Sequence, residues 1–395
     1  MMEQTITFET EKLTDARLLK MEVKTPIHVG AASEKLLVER LDYLVEGDTV
    51  YVLDRPKLYG LLLEHDLLEE YTQKLLQARG GNLWDLLDDM NVPVSKVSLF
   101  TYSCKDAGSE IRPLIRSGMG QAYLPGSSVK GALRGVVFEH LAQQNEIGRI
   151  KKAWSTYRNA RDVEQELANY EKDLLGHFGN SLFRFVRPAD ATLDKTALTN
   201  IDLFNLYQEH GGWQSDFKPD FVITAEVFPR GAAGEMRLEV SAGLVDAIRK
   251  AAPKSREART PTHWDAVFST DDPFKALLAI INTYTRKHLE REIAFFQQYD
   301  EADDTDLVIS NLTDLLAETK NENSCLLRMA YGSGFHGITG DWRFDDHTYT
   351  ILKPDEFNLA WSQSTRSKGP ARYKSRKIAG SAEYSNLMGF VRLSL

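Results

Sequence analysis

Apolar and polar positions change period repeatedly along the 395-residue chain, and each change marks an element. Between positions 17 and 29, Leu19, Met21 and Val23 alternate with polar neighbours, the period of a strand with one buried face, and a turn follows at Gly30. Positions 41–54 read LDYLVEGDTVYVLD, two apolar runs about Glu-Gly-Asp, which predicts a β-hairpin. Pro56 opens a helical stretch reaching residue 90 with a break at Gly80-Gly81. Strand-like VSLFTYS and IRPLIRS resume at 97 and 111, so the helices between are an insertion among sheet elements. In YLPGSSVKGALRGVVFEHLA, positions 123–142, Val129, Leu133, Val136, Val137 and Leu141 recur at helical spacing. Pro125-Gly126 breaks what precedes, and Ser127 and Ser128 are capping types, so a helix with one core face begins there.

The later pattern is read the same way. Positions 145–175 are charged and helical, with apolar residues at irregular spacing, which predicts an exposed helical excursion. LFRFVRPADATL from 182 alternates as a strand, TNIDLFNLYQ is a second, and PDFVITAEVFP with EMRLEVS predicts another hairpin across 230–234. A long helix is predicted over 272–300, opened by Asp272 and Pro273, with Phe274, Leu277, Leu278, Ile281, Tyr284, Leu289 and Phe296 on one face. A shorter helix follows over 306–320, then strand-like CLLRMA and a terminal MGFVRLSL. The turn-rich run HGGWQSDFKP sets a soft boundary, dividing the chain into 1–210 and 211–395. Strands and helices mixed in this order make the fold class α+β.

Charge narrows the function. With 48 Lys and Arg against 57 Asp and Glu, the net charge of -9 excludes a protein that coats nucleic acid by bulk positive charge, though not one with a local basic groove. Cys104 and Cys325 are the only cysteines, which excludes a disulfide framework or a cysteine-rich zinc site and suits a reducing cytoplasm. The polar, acidic start carries no signal-like apolar run, and no stretch reaches the roughly 20 apolar residues a membrane span needs, so a cytoplasmic protein without membrane contact is expected.

Three stretches carry candidate chemistry. GSGFHGITG at 332–340 places Gly332, Gly334, Gly337 and Gly340 where backbone can approach a phosphate or sugar, with Phe335 and His336 able to stack on a base. It is neither a Walker loop, having no Lys-Ser or Lys-Thr after it, nor a dinucleotide fingerprint, having no amphipathic helix after it. RSKGPARYKSRK carries Arg366, Lys368, Arg372, Lys374, Arg376 and Lys377 without an acid, a local reversal of sign that suits a polyanion. Lys130 and Arg134 lie beside the positive end of the helix that starts near Ser127 and Ser128, an arrangement suited to phosphate. Gly131 and Gly135 are poor helix formers, so a reason for them, such as close approach of another backbone, is worth seeking. His28 and His336 are the candidates for an acid or base acting on a ribose 2′-hydroxyl. No metal-ligand spacing or cofactor motif is present, and no cofactor is expected.

Together, LKMEVKTPIHVG, LPGSSVKGALRG, GSGFHGITG and the terminal GFVRL resemble the RAMP superfamily of CRISPR-Cas proteins. Their order is most similar to the backbone subunit at the head of type III-A (Csm) effector complexes, where the guide RNA 3′ part emerges. The resemblance covers both ends and about half the residues; the insertions at 56–90 and 145–175 carry no recognised motif. It implies two RRM-like (ferredoxin-like) domains with helical insertions, and contacts to single-stranded guide RNA and neighbouring RAMP subunits. It also implies a role in guide maturation with a recruited host nuclease. Gly126, Ser127, Ser128, Lys130 and Arg134 match the superfamily's helix motif, and Gly332, Gly334, Phe335, His336 and Gly337 its glycine-rich loop. The target-slicing subunit of such complexes has a catalytic aspartate in the loop after its first strand. Here the first acid in that loop is Glu34, and Asp42 is placed inside an apolar strand, so slicing is not implied. The RRM signature aromatics are also missing, which leaves glycine loops, backbone and cations to contact RNA. A non-catalytic RNA-binding subunit is thus expected. The alternatives are a metal-independent RAMP endoribonuclease using His28 or His336, and a nucleotide-binding enzyme using the glycine loop.

Overall fold

The computed structural model describes residues 14–31, 35–76, 83–144, 160–177, 181–209, 212–217, 222–251, 261–268, 270–299, 305–334, 375–381 and 384–395. The alternating first stretch is strand β1 (Asp15–Val23), which buries Leu19, Met21 and Val23. After the short β2 (Leu37–Val38), the hairpin forms as predicted from β3 (Tyr43–Glu46) and β4 (Thr49–Leu53), turning at Gly47, whose φ of 58° suits glycine. The helical insertion is α1 (Arg55–Glu64), α2 (Leu68–Leu76) and α3 (Leu83–Asp89), with Asp54 capping the Lys57 N–H. It has its own small core, in which Leu58, Leu62, Tyr71 and Leu86 pack on Leu44 and Leu53 of the hairpin. Then come β5 (Ser98–Ser103) and β6 (Glu110–Arg112), the latter cut short at Pro113.

The motif helix is α4 (Gly126–Gln144). It is followed by α5 (Ala160–Leu175), β7 (Val186–Pro188), β8 (Ala197–Glu209), β9 (Gly212–Phe217), β10 (Ile223–Val227), β11 (Ala233–Val240), α6 (Ala242–Ala251) and α7 (Asp265–Phe268). The long helix is α8 (Pro273–Tyr299), started by Asp272, whose carboxylate accepts the Phe274 and Lys275 N–H groups. Then come α9 (Asp306–Glu318), β12 (Ser324–Arg328), β13 (Ser375–Ser381), β14 (Tyr384–Leu387) and β15 (Phe390–Ser394).

One sheet, in the order β12-β15-β1-β11-β7, is antiparallel throughout. Helices α4 and α8 cover one face of it, where Val129, Leu133, Leu277 and Ile281 join Leu19, Met236 and Leu238 in the largest core. A second sheet runs β14-β13-β8-β10-β6-β2, with β9 on β8. The third is β3-β4-β5. The fold is α+β, and no described helix is long and apolar enough to cross a membrane.

The structure corrects several expectations. Strands β10 and β11 are not a hairpin: β10 pairs with β8 and β6, and β11 with β1 and β7, so the connection between them crosses from one sheet to the other. Residues 182–184 form a 3₁₀ turn that buries Leu182 and Phe183 together, which leaves only Val186–Pro188 as strand. The far end of α5 is packed rather than exposed, with Tyr170, Leu174 and Leu175 buried and Tyr170 edge-on to Phe138 at 5.8 Å. Both large sheets draw strands from either side of residue 210, so a division at 210/211 separates hydrogen-bonded neighbours. Close backbone approach occurs at Gly126, where a Cβ would overlap Pro188 O and Ala189, whereas Gly131 and Gly135 face open space.

These contacts predict opposite signs for similar substitutions. Gly126→Ala should lower unfolding free energy by about 1–3 kcal/mol through overpacking, while Gly131→Ala should raise it by up to about 1 kcal/mol through helix propensity. Urea unfolding of the two variants checks this.

Candidate nucleic-acid interface

The start of α4 is built from two distant segments. Pro125 O accepts the Ser128 and Val129 N–H groups, so Pro125 is the cap residue, and Ser127 (exposed) and Ser128 (half-buried) lie inside the first turn instead of capping it. The Gly126 N–H is taken by Asp190 Oδ1 at 2.7 Å, so the anion at this helix start is the protein's own carboxylate. One turn on, Lys130 is half-buried, and its ammonium is held below its ordinary pKa by burial and by the neighbouring Arg187. Arg134 Nε reaches Glu171 of α5 at 2.9 Å.

The root of the glycine-rich loop is at the other edge of the same sheet. Gly332 follows β12, while Gly126 backs onto the end of β7, and four strand spacings, roughly 19 Å, separate those edges. The two sequence motifs therefore stand apart on this sheet. Gly332 (φ 83°) and Gly334 (φ 69°) use the left-handed region open to glycine, and a Cβ on Gly332 would press on Met388 at 3.0 Å. The root is clamped by Arg328, whose Nη2 donates to Gly332 O at 3.1 Å and whose Nε donates to Met388 O at 3.1 Å. Arg328 has donors only, so in its contact with His288 the ring Nε2 accepts. Burial lowers the Arg328 pKa to about 10, against the pull of Glu292.

Candidate residues on β13 divide by the pleat. Arg376 is buried, paired with the carboxylate of Glu292 on α8 and lying 3.8 Å over the Phe295 ring. Lys377, one residue on, faces the other way, with Nζ 4.0 Å from the centre of the Tyr331 ring. Phe335, His336, Gly337, Arg366, Lys368, Arg372 and Lys374 lie outside the described residues. His28 is enclosed, 1% exposed, with Nδ1 2.8 Å from Glu226 O and its ring edge-on to Tyr331. So enclosed, it is poorly placed as an acid or base for a substrate at the surface. Asp42 lies in the turn before β3, not in the strand, and its carboxylate accepts the Val38 N–H at 2.9 Å and pairs with Arg55. Among the described residues no group of His, Cys, Asp and Glu is arranged to hold a metal.

The sequence profile of the RAMP superfamily matches residues 20–344. The chain belongs to that superfamily. This RAMP chain is similar to the Streptococcus thermophilus CRISPR system Cms protein Csm5, with 28% identity over 163 residues, 35% of this chain and 44% of that protein. The match thus spans less than half of the relative's length. Two solved structures share the fold. A chain of a cryo-EM structure of a Csm–crRNA–target RNA ternary complex of a type III-A system has a TM-score of 0.67 at 17% identity, covering 95% of this chain and 99% of that one. The crystal structure of T. onnurineus Csm5 has a TM-score of 0.60 at 16% identity, covering 95% and 100%.

In this RAMP chain the outward positions of the five-stranded sheet include exposed Ala16, Leu18, Lys20, Arg187, Ala233, Glu235 and Arg237 and half-buried Glu22 and Arg392, with no aromatic ring among them. Arg392 pairs with Glu22, and Arg237 reaches Glu239 at 3.2 Å, so that face is a lattice of opposite charges unsuited to base stacking. Sequence reasoning missed Arg112, Arg328 and Tyr331, which the fold gathers at the loop root. The one local signal was the Arg-Met-Ala-Tyr run leading into the glycines.

A pH dependence follows from Glu292. Burial opposes its charged form, but Arg376, His288 and Arg328 outweigh burial and hold its pKa at about 2, below the ordinary 4.5. A carboxyl depressed on folding contributes stability that is present above pH 4.5 and lost as pH falls towards 2. Glu292→Gln, which leaves Arg376 buried without its carboxylate, should cost about 3–5 kcal/mol at neutral pH. It should also flatten the decline of the urea midpoint between those pH values.

Proposed function

We propose that this chain is a non-catalytic RNA-binding subunit of a type III-A effector ribonucleoprotein. On this reading it holds the 3′ region of the guide RNA, caps one end of the backbone filament and assists guide maturation by positioning a nuclease or recruiting one from the host. The observation that carries the reading is the superfamily match over residues 20–344. The Csm5 likeness and a shared fold with a chain from a Csm–crRNA complex support the subunit and its setting. Its partners are single-stranded guide RNA and neighbouring RAMP subunits, in the cytoplasm.

The order β1, α4, β7, β11, α8, β12 reads as one ferredoxin-like (RRM-like) β-α-β-β-α-β unit, into which β15 inserts between β1 and β12. The second sheet supplies the other half of the two-unit arrangement. A chain of net charge -9 holds RNA through local cationic strips. Neighbouring subunits complete the groove, and the isolated chain binds weakly.

Filter binding of single-stranded RNA, to the chain alone and assembled with its neighbours, tests the reading. Affinity should fall with salt, the logarithmic slope being about -0.7 for each phosphate contacted. Absent affinity, or affinity indifferent to salt, would sink it. Repeat-containing RNA incubated with the chain in EDTA should remain intact. Cleavage that disappears in His336→Ala would instead establish the endoribonuclease.

A further inference from the structure

Tyr331 opens the glycine-rich turn and is fixed before any ligand arrives. Its N–H donates to His28 O at 3.1 Å, its ring meets the His28 ring edge-on at 5.5 Å, and the next residue is clamped by Arg328. Two cations share this one ring: Lys377 Nζ at 4.0 Å and Arg112 Cζ at 5.3 Å from its centre. They come from β13 and β6, three strand spacings apart in the second sheet, yet the ring brings their charges within about 9 Å of each other. Arg112 pairs in register with Ala225 and Lys377 with Leu203, so both stand on the same face of that sheet as the buried Ala225. Among the described residues Lys377 has no carboxylate partner.

A ring face attracts a cation through its quadrupole. It does not neutralise the Lys377 ammonium, which an anion held beside the ring would, with Arg112 close enough to share that anion. The ring itself adds a surface on which a sugar or base can pack. Free nucleotides and RNA both offer this chemistry. On the RNA-binding reading above, the ligand is held at many points, to which this site adds one.

We propose that Arg112 and Lys377 together hold one phosphate of single-stranded RNA beside Tyr331, with the neighbouring nucleoside packed on that ring. The proposal rests on the RNA-binding reading above and names a site within it that includes Arg112 and Tyr331, neither of them part of the glycine-loop or helix motif.

The test uses the full chain in its assembled complex. Filter binding from 50 to 200 mM salt compares wild type with Arg112→Gln/Lys377→Gln, Lys377→Arg, Tyr331→Phe, Tyr331→Leu and a control on the open sheet face, Lys20→Gln. The double variant should bind about tenfold more weakly at low salt, and its slope should shrink by about 0.7, one phosphate's worth. Lys377→Arg and Tyr331→Phe should retain wild-type behaviour, Tyr331→Leu should lose affinity about fivefold or more without a change in slope, and Lys20→Gln should change nothing. Photocrosslinking of 5-iodouridine RNA should map to the peptide containing Tyr331, with melting curves verifying that each variant is folded. If wild type binds with a salt slope that the double variant keeps, the site is overturned while the RNA-binding reading survives. If wild type does not bind RNA, both fall. If ATP protects Tyr331 from crosslinking as well as RNA does, the site is a nucleotide pocket and the assignment to RNA is overturned.

Discussion

The buried pair between Arg376 and Glu292 is the interaction on which the arrangement of the loop root depends. Both ions are out of water, and desolvating them carries a penalty that their attraction offsets only when the geometry is good. What the pair secures is position: it fastens β13, which brings the chain back to the second sheet, to the C-terminal third of α8, the largest helix against the first. Arg328 lies in the same field and fastens the chain leaving β12, through the carbonyls of Gly332 and Met388. The strand before the glycine turn and the strand that returns the chain are thus referred to one group of charges. A loop anchored at both ends in this way can meet a ligand without first ordering its base.

The exit of β1 does comparable work with backbone groups. Lys24 and Ile27 donate to Phe390 O and Phe228 O, Gly389 donates to Pro26 O, and Tyr331 donates to His28 O. Residues 24–28 therefore join the two sheets, and His28 belongs to that seam through its carbonyl and its ring. Gly389 completes the crossing at φ 99°, where any side chain would run into Met329 O. Its identity follows from backbone geometry rather than from ligand contact.

Much of this was legible in the residues. The apolar face of α8, the Asp272 cap and the Gly47 turn are local features, read from spacing and residue type and found where expected. What was hidden is non-local. β10 and β11 each have a proper strand pattern, and nothing in either says that the chain between them changes sheets. In the run RSKGPARYKSRK every cation looks alike, although Arg376 shares the pleat side of buried Ile378 and so had to turn inward. Asp190 caps a helix that begins far before it, and no window on the motif helix contains it. The cations around Tyr331 come from strands distant in sequence, and only the assembled sheet makes them neighbours.

That cap has a consequence for how the chain becomes structured. The first turn of α4 is finished by a carboxylate 64 positions later and is walled by the carbonyl of Pro188, so the helix start cannot mature while the chain is still short of those residues. Contacts of such sequence separation close large loops and slow the search for the native arrangement. During synthesis this element would wait, its Gly126 amide solvated, until the edge strand of the sheet is laid beside it. The segment with the most recognisable sequence in the protein therefore cannot reach its final geometry from its own residues alone, although β1, which pairs with β15, waits longer still.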